Sequence, residues 1–88
     1  MPDNETFVFT TEFTESLTKL SHADQRRVFT AVRQLDIDEK TRSLYAHQLK
    51  GQQAGTWAVY ASKSLRITFE RLEGGRKRLL EASHHYGD

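Results

Sequence analysis

"TWAVYASKSLRITFERLEGGRKRLLEASHH", Thr56 to His85, decides the fold. Side chains on a strand point alternately to two faces, and this stretch follows that period. Trp57, Val59 and Ala61 share one face of Thr56–Ser62. Leu65, Ile67 and Phe69 share one face of Ser64–Leu72, and Arg66, Thr68 and Glu70 share the other. Lys63–Ser64 marks a tight reversal. "EGGRK" marks a second, where Gly74 and Gly75 supply positive φ. "RLLEASHH" is then the last strand, and short reversals make the sheet antiparallel.

Working back toward the N-terminus, the period changes. In "TTEFTESLTKL", Phe13, Leu17 and Leu20 fall at helical spacing. Thr11 is placed to cap the start, with Glu12 and Glu15 in the first turn. In "SHADQRRVFTAVRQLD", Val28, Val32 and Leu35 line one face, flanked by Phe29 and Ala31, and Ser21 is the expected cap. The joint is short, so the two segments predict a helical hairpin. "TFVFT", Thr6–Thr10, alternates around Phe7 and Phe9 and predicts a first strand. Residues 37–55 are polar and predict a loop with a helical turn near Thr41–Ala46. The five phenylalanines and Trp57 are most simply core. The expected fold is α+β, in the order β-α-α-β-β-β. It is a small twisted antiparallel sheet with an N-terminal helical hairpin packed on one face. The other face is then partly open to water, and Arg66 lies on it.

Eighty-eight residues make a single domain, 1–88. The absence of cysteine removes disulfides and thiolate-bound metals, and fits a reducing cytoplasm. Apolar runs are too short for a membrane span, and "MPDNETF" is too acidic for a signal peptide. The net charge of +1 divides unevenly. Residues 1–40 carry five basic and eight acidic side chains; residues 41–88 carry eight basic and four acidic. The basic half also holds His47, His84 and His85, Trp57 and all three tyrosines. Basic and aromatic residues interleaved in this way suit a phosphate-rich partner. The acidic helical half offers no obvious nucleic-acid surface.

Four elements, in order, carry a resemblance to a known family. They are "HQLKG" (His47–Gly51), Gly55 with Trp57 before a strand, "LRITFE" (Leu65–Glu70), and "LLEASHH" (Leu79–His85). The chain resembles the RelE/ParE-type toxins of bacterial toxin–antitoxin pairs over nearly its whole length. The resemblance implies a toxin neutralised by a cognate antitoxin protein. Most such toxins are metal-independent endoribonucleases that cut mRNA, often in the ribosomal A site. DNA binding belongs to the antitoxin. The ParE branch shares the fold, inhibits DNA gyrase and lacks the RNA-cutting residues; it is the alternative reading. A third is a degenerate member that only binds its antitoxin.

Metal-free RNA cleavage needs a base for the 2′-hydroxyl, an acid for the leaving 5′-oxygen, and cations on the phosphate. Histidine suits both proton tasks, and the arginine fork suits phosphate. His47 stands where related RNA-cutting toxins place a glutamate or histidine, and takes the role of base. Arg66 is the expected phosphate clamp; the alternative is an ion pair with Glu70 or Glu81. The resemblance favours His84 as the acid, because it follows Ser83 where the family often has glycine or serine and then histidine; His85, before Tyr86, is the runner-up. Being adjacent on a strand, they point to opposite faces, which argues against a shared metal. Parity does not choose between them, because Leu79 and Leu80 are both apolar. Lys50, Arg78 and Tyr86 are candidate RNA or phosphate contacts. Tyr60 lies on the face opposite Trp57 and can approach the site. No cofactor is expected.

Overall fold

The alternation in residues 65–71 is realised as the centre of a five-stranded sheet. A computed structural model of the chain describes residues 6–51 and 55–85. The strands are β1 (Phe7–Phe9), β2 (His47–Gln48), β3 (Thr56–Tyr60), β4 (Leu65–Arg71) and β5 (Lys77–His84). Two helices, α1 (Thr11–Thr18) and α2 (His22–Ile37), lie between β1 and β2. The sheet order is β1-β5-β4-β3-β2. The fold is α+β, with the helices before the main strands, as expected.

Two features differ from the expectation. The sheet is mixed: β1 pairs parallel to β5, while every other pair is antiparallel. The sequence period sets which face a side chain takes and says nothing about strand direction. The polar stretch before Thr56 also holds a strand, β2, after the expected helical turn at Arg42–Leu44. Two residues are too few to show a period. At the far hairpin, Gly74 and Gly75 take φ of 73° and 77°, as the turn required.

The apolar stripes meet where both periods place them. Leu65, Ile67 and Phe69 of β4 are fully buried against Val28, Val32 and Leu35 of α2 and Phe13 of α1. Removing this much apolar surface from water is the main drive to fold. The phenylalanines divide. Phe7, Phe13 and Phe69 are core, but Phe9 and Phe29 stay 41% and 48% exposed. Trp57 is partly buried and packs on the core edge, with the Arg71 guanidinium 4.2 Å above its ring.

The caps fix how the helices enter. Thr10, not Thr11, caps α1: its hydroxyl accepts from Phe13 N at 3.0 Å and donates to Leu79 O at 2.7 Å. Ser21 caps α2 by accepting from Asp24 N at 3.1 Å. The buried Ser16 hydroxyl donates to Phe13 O at 2.7 Å and accepts from Ala82 N at 2.9 Å. β1 reaches only as far as Leu79 along β5, so Ser16 supplies a partner for backbone that no neighbouring strand covers.

Candidate active site on the helix-free sheet face

Strand register determines which side chains share a face. Tyr60 lies directly opposite Arg66, and Arg66 opposite Ser83; His47 lies opposite Ala58. His47, Ala58, Tyr60, Arg66, Thr68 and Ser83 therefore point away from the helices. Ala58 and Thr68 are small and buried, and form a floor between the longer side chains.

His47 sits on β2, held by a stack of rings. Its ring lies 5.8 Å from Tyr60, nearly parallel at 17°, and 5.1 Å from Tyr45. Its Nδ1 is 2.9 Å from the carbonyl oxygen of Tyr45. A carbonyl only accepts, so Nδ1 carries the proton and Nε2 of the neutral ring keeps its lone pair. That tautomer is the one a general base needs. Tyr45 adopts the left-handed conformation, with φ 47°, to bring its carbonyl there. For a bulky side chain such backbone costs roughly 1–3 kcal/mol and tends to occur at functional positions.

Arg66 projects from the centre of the same face. It forms no ion pair with Glu70 or Glu81; Glu70 is engaged by Arg78 at 3.0 Å. The Arg66 Nε is buried and has no hydrogen-bond partner among the described residues. A buried donor left unmatched is costly.

The two terminal histidines part company. His84 lies opposite Leu65, on the helix-covered face. Its Nε2–H donates to the Asp24 carboxylate at 2.8 Å, and its Nδ1 shares a 2.8 Å hydrogen bond with the Ser64 hydroxyl. The bond to His84 holds the Asp24 carboxyl below its ordinary range. His84 is thus turned toward α2, away from Arg66. The backbone N–H of His85 donates to Ser64 O at 2.6 Å, extending the ladder by one residue. Strand alternation continued one residue past β5 would give its side chain the side of Ser83 and Arg66.

The register thus brings His47, Tyr60 and Arg66 to one face, with His85 directly after β5. Lys50 is exposed in the segment leading from β2 to β3. Arg78 is paired with Glu70, four residues along β4 from Arg66, about 13 Å at strand rise. Tyr86 lies outside the described residues. Asp24 and Ser64 were not legible as partners of His84, because 60 and 20 residues of chain separate them from it. Asp24 stands in the first turn of α2, where its backbone N–H meets the Ser21 cap.

No family model and no curated protein matches the chain in sequence. Solved structures do match in shape. A YoeB/ParE toxin from Agrobacterium tumefaciens superposes with a TM-score of 0.74 at 16% identity, over 92% of this chain and 99% of that one. YafQ from E. coli gives 0.70 at 11% identity, over 96% and 93%. The toxin–antitoxin complex RelBE2 from Mycobacterium tuberculosis gives 0.62 at 23% identity, over 97% and 100%. The chain has the RelE/ParE-type toxin fold. In this chain the helical hairpin occupies one face of that fold's sheet, and the candidate site occupies the other.

Proposed function

We propose that this chain is the toxin of a bacterial type II toxin–antitoxin pair, acting as a metal-independent endoribonuclease on mRNA in the ribosomal A site. The observation that carries the reading is the pairing, on one helix-free face, of a histidine with an open Nε2 and an arginine with an unmatched buried Nε.

In this reading His47 Nε2 takes the proton of the 2′-hydroxyl beside the scissile phosphate. The 2′-oxygen attacks phosphorus, and the bond to the 5′-oxygen breaks. His85, one residue beyond β5, gives a proton to that leaving oxygen. The Arg66 fork holds the non-bridging oxygens as their charge grows. The products are a 2′,3′-cyclic phosphate and a free 5′-hydroxyl. Lys50 is an outer cation on the path of the strand. Arg78 is spoken for by Glu70, so its contribution is secondary. A cognate antitoxin that covers this face would silence the site.

The test maps 5′ ends of a defined message on stalled ribosomes after adding wild-type protein, His47→Ala or Arg66→Ala. New ends in the A-site codon with wild type alone support the proposal. Equal cutting by both variants removes the assigned residues. No cutting by folded wild type, together with inhibition of DNA gyrase, would transfer the chain to the ParE branch.

A further inference from the structure

Beside the candidate site runs a groove of about 840 Å³ between α2 and the β3–β4 turn. Arg26 and Arg27 of α2 line one wall, and Lys63 of the turn lines the other. Among the described residues no carboxylate lines it. Arg27 is held by Asp24 at 2.7 Å, while Arg26 and Lys63 make no ion pair among the described residues. Tyr45 and Tyr60 also line the groove. Their rings stack at 6.2 Å and 29°, and Tyr60 in turn stacks on His47. Tyr45 is 67% exposed, although it is a large ring fixed in a strained backbone conformation.

We propose that this groove is a subsite for single-stranded RNA, with the exposed ring of Tyr45 stacking on one nucleobase and Arg26 and Lys63 meeting the phosphates beyond it. The inference builds on the ribonuclease reading, and extends its contact surface past the scissile phosphate. A basic channel ending in stacked aromatic rings is the arrangement that holds single strands, because every base has a π-face to stack. An acidic peptide would also be drawn to the cations. It gives no reason for a strained, solvent-facing tyrosine in register with the proposed base, so RNA is the occupant the arrangement favours. The helical half of the chain, acidic in total charge, thereby contributes a basic wall that its net charge conceals.

The probe is a short single-stranded RNA made uncleavable by a 2′-deoxy substitution at the cut position, carrying 2-aminopurine at one position at a time. Wild-type protein at low salt is expected to quench one position strongly. Tyr45→Phe should keep that quench. Tyr45→Ala should lose it and weaken binding about tenfold or more. Tyr45→Gly, which suits the left-handed backbone, should do the same, so strain in the alanine variant cannot be the cause. Arg26→Ala with Lys63→Ala should lower the slope of log affinity against log salt by about 1.4. Binding and quench unchanged in both Tyr45 truncations overturn the subsite, and so does failure of wild type to bind the RNA. The two readings fail separately. Tyr45-dependent quenching without any cleavage of ordinary RNA would remove the nuclease and leave the subsite. Cleavage indifferent to Tyr45 would do the reverse.

Discussion

Replacing Arg66 with lysine keeps the charge and removes the planar fork. If Arg66 clamps the phosphate, Arg66→Lys should cut cleavage on ribosomes by about 10²–10³ with little change in thermal midpoint, measured by single-turnover rates beside a melting curve. The adjacent histidines give a sharper contrast. His85→Ala should lower the cleavage rate by about 10²–10⁴, measured on protein verified as folded. His84→Ala should lower the melting temperature, because it unties Asp24 and Ser64. A reversed pattern would return the acid to His84. This distinction was not legible beforehand, and the reason is local. The β4–β5 register shifts between Thr68 and Phe69, so that Leu79 pairs with Phe69 while Glu81 pairs with Thr68. Leu80 is the extra residue of a bulge, and a bulge breaks the alternation by which faces are counted. Arg66 is free of such a break on its own strand, and its face was readable from Leu65 and Ile67.

The elements differ in how much of them the chain announces. β3, β4 and both helices follow from period alone, because each is long enough to repeat its pattern. β2 is two residues long and carries no pattern. Its histidine was found through the motif around it. Contacts between elements are the least legible. Ser16 reads as one more polar residue in a helix, yet it is buried and supplies the acceptor for Ala82 N. Ser16→Ala should therefore destabilise the fold by about 1–3 kcal/mol, seen as a lower urea midpoint at unchanged slope. A loss below about 0.5 kcal/mol would mean that water replaces the hydroxyl. The link between Thr10 and Leu79 makes the same point: residues 69 apart in sequence join β1, α1 and β5 at one hydroxyl.

At the scale of the whole molecule, two carboxylates tie α2 and the segment after it to the strands. The Asp24 carboxyl is lowered chiefly by its hydrogen bond to His84. The Glu39 carboxyl is lowered chiefly by Arg71, with the largely buried Lys77 3.4 Å away. Groups lowered on folding add stability that is complete above the unfolded value, about pH 4, and is lost as pH falls through the folded value. The melting temperature should therefore drop on acidification below about pH 4, and Asp24→Asn with Glu39→Gln should flatten that limb. An unchanged limb in the double variant would place the acid sensitivity elsewhere. The same view bears on β2. It lies at the sheet margin, joined to β3 through two residue pairs, and it carries His47. So small an anchorage can detach at a fraction of the free energy needed to melt the β4–β5 centre. Amide exchange at His47–Leu49 should run well ahead of exchange at Ile67–Phe69. The proton-accepting ring can then be unplugged, by warmth or by a protein that grips the margin, while the rest of the chain stays folded and ready for its return.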